Sequence, residues 1–191
     1  MCRSDETIFQ GQKMKSKSSE TILSEQACLQ IPSPIGVLEI SGSAAGIRSV
    51  KRVETEAATP ARELPQQHPV AVCARQLSEY FRGERREFDL LMDWSGRPAF
   101  YRKVWTEMLK IPFGSTASYS EMAVKAGSPK AVRAVGMANR SNPFAIVVPC
   151  HRVLARSGAL HGYFYGLDVK EQLLCHENPA RKQATKSKNA R

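Results

Sequence analysis

The chain has 191 residues, 42% hydrophobic and 24% charged, with a net charge of +10. That is enough material for a core in one large or two small domains, and no apolar run reaches the length of a membrane span. Five cysteines without a CxxC pair argue against a disulfide framework or a zinc ribbon.

Residues 1–26 are polar, Lys/Ser-rich and aperiodic, and read as a disordered arm without the apolar region of a secretory signal. An intracellular protein in a thiol-reducing compartment is expected. From Cys28 onward, "ACLQI", "GVLEIS" and "GIRSVKRVE" are short β-prone runs separated by turn residues, which predicts an antiparallel hairpin or three-stranded meander. "ETEAATPARELPQQ" reads as a loop. "HPVAVCARQLSEYFRGE" carries Val70, Cys73, Leu77 and Tyr80/Phe81 at helical spacing. "FDLLM" reads as a further strand, and "DWSGRP" as the linker between domains.

The second half reads helical. "PAFYRKVWTEMLK" places Phe100, Val104 and Met108 on one face, with Pro98 suited to the first turn. Ser118 and Glu121 fit a capping box. Ser128-Pro129 reads as an N-cap followed by proline at the first helical position. The tight turn Ala126-Gly127 joins the two helices into a helix-turn-helix, with "PKAVRAVGMANR" as the second helix. On it, Val132 and Val135 form the apolar stripe, while Arg133, Met137 and Arg140 lie on another face. Its small residues suit either close approach to a duplex or tight packing on a neighbouring helix. The basic balance divides in the same way, between a polyanionic partner and a solvated surface. The tail at 179–191 adds basic residues and no acidic one.

"IVVPCHRV" contains the densest chemistry. An apolar run ends at Pro149, so Cys150 stands at an element end, where a reactive group can be held yet exposed. His151 and Arg152 follow, and positive charge beside a thiol favours the nucleophilic thiolate. In the last helix, "LDVKEQLLCHE", Val169, Leu173 and Glu177 share a face, so Glu177 is a buried carboxylate in need of a partner. Cys–His–Glu has the logic of nucleophile, base and orienting group. A cysteine hydrolase fits that chemistry equally well.

"SYSEMAVKAGSPKAVRAVGMANRSNP", "PCHRV" and "GYFYGLDVKEQLLCHE", in this order and spacing, closely resemble the O6-alkylguanine-DNA alkyltransferases. The resemblance is strong from residue 100 to 177 and looser before it. It implies an α/β protein. A small antiparallel sheet-plus-helix domain at 27–94 would precede a mainly helical, DNA-binding and catalytic domain at 98–178 that contains the helix-turn-helix. It further implies that a damaged guanine is flipped from double-stranded DNA and that its O6-alkyl group moves irreversibly to Cys150, one transfer per molecule. O4-methylthymine is a second candidate substrate. By the resemblance, His151 acts through a bound water as the base, Glu177 orients it, and Asn142 braces the turn. Arg133 fills the gap left by the flipped base, and Tyr119 helps rotate the nucleotide and donates to guanine N3. The Val153 backbone and Tyr163 line the pocket. Phe164 and Tyr165 stand where many members carry small residues, and their bulk implies a narrow pocket. Tyr101, Ser120, Ser128 and Arg156 match positions that touch the DNA backbone. Ser43 and Arg97 stand at positions where some members bind zinc, so no metal is expected, nor any organic cofactor or membrane partner. A monomer is expected, in the cytoplasm of a bacterium or the nucleus of a eukaryote. The rival readings are a lesion sensor, which the presence of Cys150 disfavours, and the hydrolase, which does not account for a basic helix-turn-helix.

Overall fold

The structure is a computed structural model that describes residues 26–55 and 64–181. The predicted arm at 1–26 and the basic tail at 179–191 fall almost wholly outside the described residues, as does the middle of the predicted loop after Val53.

The three β-prone runs form strands β1 (Ala27–Ile31), β2 (Val37–Ser43) and β3 (Gly46–Val53), an antiparallel meander in the order β1-β2-β3. Leu38 and Ile40, two residues apart, are fully buried as the pleat requires. The register shifts between Ser41 and Gly42. That shift changes the facing, so Ile47 and Val50, three residues apart on β3, both reach the core. Helix α1 (Pro69–Phe81) covers the sheet, with Val70, Cys73, Leu77 and Tyr80 buried along one stripe. His68 caps it, its Nδ1 accepting the Val70 N–H at 3.2 Å.

"FDLLM" is not a strand. Only Met92 bridges to Ile47. The Gln76 side chain accepts the Asp89 N–H at 2.9 Å and donates to the Asp89 carbonyl at 2.7 Å. A side chain therefore occupies backbone groups that a ladder would need.

Helix α2 (Ala99–Leu109) follows, with Pro98 at the N-cap rather than inside the first turn. Val104, Trp105 and Met108 are buried, and the Trp105 indole donates to the Ala138 carbonyl at 2.8 Å. A two-residue strand β4 (Ala117–Ser118) leads into α3 (Tyr119–Lys125), whose capping box of Ser118 and Glu121 is complete. Gly127 turns the chain at φ 69, a conformation that favours glycine. The next helix starts later than the Ser128-Pro129 signal implies: α4 spans Val132–Arg140. The Ala131 N–H bonds the Ser128 carbonyl at 2.8 Å, so residues 128–131 close a separate turn before the helix begins. The buried face of α4 is Val135, Ala138 and Asn139; Val132 faces outward. A 3-10 turn, Cys150–Arg152, then delivers β5 (Val153–Leu154), which pairs in parallel with β4. Helix α5 (Leu167–Glu177) ends the described core.

The buried residues of both halves form one continuous cluster. Trp94 stacks on Trp105 and meets Phe144 edge-on. The Val50 N–H donates to the Pro143 carbonyl at 2.8 Å, and the Ala145 N–H donates to the Val50 carbonyl at 2.9 Å. The edge of the sheet is thus bonded to the segment that leads to Cys150.

Candidate active site

The segment from Asn142 to Pro149 packs almost entirely out of solvent. Ile146 adopts φ 70, a left-handed conformation that a β-branched residue rarely holds, and it is fully buried. Such strain costs about 1–3 kcal/mol and persists only where surroundings over-determine the backbone. Asn142 supplies part of that determination. Its amide donates to the carbonyls of Val148 at 2.9 Å and Phe144 at 3.3 Å, and its Oδ1 accepts the Phe144 N–H at 3.0 Å.

Cys150 is only 4% exposed, so the expectation of a held yet exposed thiol is half right: held, but buried. Burial raises the thiol above its ordinary 9.0, opposed by hydrogen bonding from Asn142 and Tyr163 and by the charge of Lys170. The Tyr163 hydroxyl faces the sulfur without a well-formed hydrogen bond. The cation that bears on the thiol is therefore Lys170, and the expected help from Arg152 goes elsewhere.

It goes to Glu177. Arg152 grips this buried carboxylate in a fork, Nε to Oε2 at 2.8 Å and Nη2 to Oε1 at 2.9 Å, while its Nη1 donates to the Ile111 carbonyl at 2.6 Å. His151 Nε2 meets Oε1 at 2.8 Å. The Tyr80 hydroxyl donates to the same oxygen at 2.9 Å, and the Gly114 N–H to Oε2 at 3.1 Å. Gly114 has φ 74, and a Cβ there would lie 3.1 Å from the Glu177 carbonyl oxygen. Burial alone would raise the Glu177 carboxyl, but hydrogen bonds and charges from His151 and Arg152 prevail and hold it well below 4.5. His151 is fully buried, and burial pushes it below 6.5 despite the carboxylate. That direction favours the neutral ring, with Nε2–H directed at the Glu177 carboxylate. Its Nδ1 has no hydrogen-bond partner among the described residues, which leaves a free lone pair in the neutral ring.

Lys170 is also fully buried. Its ammonium donates to the Val153 carbonyl at 2.7 Å and the His161 carbonyl at 3.0 Å, and lies about 6 Å from the rings of Tyr119 and Tyr163. Burial lowers it to about 8. A cleft of about 490 Å³ opens beside these groups, between α4 and residues 161–164. Tyr119, Arg133, Met137, Arg140, Tyr163 and Phe164 line it. Met137 and Phe164 are 63% and 65% exposed, an apolar pair that water-facing chemistry alone does not explain.

The structure thus gathers Cys150, His151, Glu177, Asn142 and Tyr163 around one turn, and Tyr119, Arg133 and Phe164 around the adjoining cleft. Val153 and Tyr165 do not line that cleft. Val153 lies behind it with its carbonyl on Lys170, and Tyr165 packs edge-on against both Tyr163 and Phe164. Tyr101 is half-buried against Trp105, Ser120 pairs with Ser118, Ser128 closes the turn before α4, and Arg156 is exposed. Among the described residues no group of His, Cys, Asp and Glu is placed to hold a metal ion, and no helix is long and apolar enough to cross a membrane.

Sequence reasoning missed Tyr80, Gly114 and Lys170. Two signals were available. Lys170 lies seven residues before Glu177, on the same buried face of one helix. Tyr80 continues a buried stripe, and a buried phenol needs a partner for its hydroxyl.

Comparison with known proteins gives two family matches: 6-O-methylguanine DNA methyltransferase, DNA binding domain, over residues 99–179, and 6-O-methylguanine DNA methyltransferase, ribonuclease-like domain, over residues 28–93. The chain is 44% identical over 149 residues to the methylated-DNA–protein-cysteine methyltransferase of Mycolicibacterium paratuberculosis, covering 77% of this chain and 89% of that protein. It is 42% identical over 150 residues to the protein of that name in Methanosarcina barkeri, covering 75% and 92%. Among solved structures, it is similar to the O6-methylguanine methyltransferase of Mycobacterium tuberculosis, with TM-score 0.69, 38% identity, and coverage of 81% and 94%. It is also similar to that organism's OGT in complex with DNA, with TM-score 0.67, 41% identity, and coverage of 78% and 91%.

Proposed function

Because the chain belongs to the 6-O-methylguanine DNA methyltransferase family, we propose that Cys150 is the residue through which it performs direct-reversal DNA repair. The observation that carries the assignment is a buried thiol on the turn that Asn142 braces, next in sequence to a histidine whose Nε2 meets the Glu177 carboxylate at 2.8 Å. The substrate is O6-alkylguanine in duplex DNA, with O4-methylthymine a second candidate. The target base leaves the stack, since the thiol cannot reach it there. The cleft beside α4 suits the extruded base, and Arg133 at its edge suits the space the base vacates. Tyr119 reaches the same cleft and supplies a phenol to the purine edge. Tyr101, Ser120, Ser128 and Arg156 serve as contacts to the DNA backbone. The first half, 27–94, supports the catalytic half, 98–178, and the protein acts as an intracellular monomer.

The reaction conserves its proton. The thiol proton passes to His151 Nδ1 through one bound water. The sulfur attacks the alkyl carbon, and the C–O6 bond breaks with its electron pair going to the purine. The purine takes up one proton, matched by the one His151 returns to solvent, and stays in the DNA as guanine; the protein keeps a thioether. Incubation with duplex DNA containing O6-methylguanine should add one CH2 to the peptide that holds Cys150. Methylation at Cys73 or Cys175 instead, or none, would overturn the assignment.

A further inference from the structure

Tyr80 stands on α1, in the sheet half of the chain, yet its hydroxyl ends on the carboxylate that orients His151. The phenol is fully buried, and its donated bond to Glu177 Oε1 spans 97 positions of sequence. The same oxygen receives His151 at 2.8 Å and Arg152 at 2.9 Å. Tyr80 is itself fixed from behind: its carbonyl is 2.9 Å from His176 Nε2, and its ring lies 4.9 Å from the His176 ring.

We propose that Tyr80 is a positioning residue of the transfer reaction, acting through Glu177 to keep His151 neutral with Nδ1 free to accept the thiol proton. The inference rests on the alkyl-transfer reading and deepens it. The physical reason is competition at one oxygen. A carboxylate offers about four acceptor sites, and here five donated bonds meet on it. Every donor other than His151 draws charge from Oε1 and weakens its pull on the Nε2 proton. Remove the phenol O–H, and charge returns to the His151 contact. That contact then favours the imidazolium, which cannot accept the thiol proton. The other groups facing this pair are Lys170 from α5, Arg152 and Cys150 from the turn, and the Gly114 amide. Lys170 and Arg152 oppose the imidazolium, so they act in the same sense as Tyr80. Burial and the charge of Glu177 push the phenol well above 10.0, so it is a donor throughout the working range.

Tyr80→Phe keeps the ring and removes the O–H. The first measurement is the single-turnover rate of methyl transfer against pH. The acid limb of that profile should move upward by about one unit, the size of one charge-assisted hydrogen bond, with DNA affinity unchanged. The second is the titration of the His151 ring nitrogens followed by 15N shifts; the chain has 4 histidines, so assignment is tractable. The same upward shift should appear without DNA. Incorporation of 3-fluorotyrosine at position 80 makes a stronger donor of unchanged shape and should move both curves the opposite way. That variant decides the question if Tyr80→Phe does not fold. Unchanged curves in a folded variant would reduce Tyr80 to packing. If the wild-type chain transfers no methyl, the functional reading fails, while the nitrogen titration still tests the link from Tyr80 to His151.

Discussion

At the scale of single residues, the site sets a buried thiol beside a buried histidine that faces a carboxylate. Burial raises the Cys150 thiol above its ordinary 9.0, which makes a proton acceptor beside it useful to the attack. Cys150→Ser should therefore abolish methyl uptake while leaving duplex binding intact, because a hydroxyl offers no comparable anion. Mass spectrometry and a gel-shift titration read the two outcomes separately. Glu177→Gln leaves the Arg152 guanidinium buried without its counter-charge. Unfolding in urea should show a loss of about 3–5 kcal/mol, the usual result of breaking a buried pair from one side. Acid should weaken the fold in two stages. His151 lies below 6.5 in the folded chain, so the unfolded chain takes up the proton first, and stability declines as pH falls through that value. Glu177 lies below 4.5, so a second decline begins under that pH. Urea midpoints at stepped pH should show both, and His151→Gln should shrink the first to the part left by His68, which burial also lowers; a first decline of the same size in that variant would contradict the assignment.

At the scale of elements, α4 presents Arg133 and Arg140 beside the apolar Met137, all exposed along the cleft. Arg133→Ala should slow repair of duplex DNA far more than reaction with a free O6-alkylguanine base, which needs no extrusion. Equal losses on the two substrates would remove the proposed role. Much of this layer was legible in the sequence. The apolar period of α1, the Ser118–Glu121 cap and the three β-prone runs each depend on neighbours a few residues away. The errors have local causes too. Ser128-Pro129 carries a helix-start signal, but a turn hydrogen bond satisfies Ser128 before the helix forms. "FDLLM" has the composition of a strand, but Gln76, distant in sequence, claims its backbone. The parallel pair β4–β5 is two residues long in each strand, too short for any alternation to show. Cys150, His151, Glu177 and Asn142 were readable as a group because motif and spacing mark them. Tyr80 and Gly114 reach Glu177 across 97 and 63 positions, and nothing in local spacing encodes such a meeting.

At the scale of the whole molecule, charge and connectivity decide behaviour. With a net charge of +10, DNA affinity should fall steeply with salt. Neutralising three phosphates, as the exposed Arg140, Arg156 and Lys130 together could, gives a slope of roughly −2.7 in log K against log salt, or about a fortyfold loss for a fourfold rise in salt. Fluorescence anisotropy across a salt series measures it, and a flat response would rule out backbone contacts as the main source of affinity. The two halves are tied together around Cys150 and Glu177: β3 bonds the segment before Cys150, and α1 bonds the Glu177 carboxylate. This has a consequence for descent. A recombination event that joined the second half of this chain to an unrelated partner would deliver the motif intact. It would also deliver an orienting carboxylate lacking one donor and a Pro143–Ala145 backbone lacking its sheet edge. An exchanged first half would have to bring its own donor and its own β-edge to those two points to rebuild the same bonds.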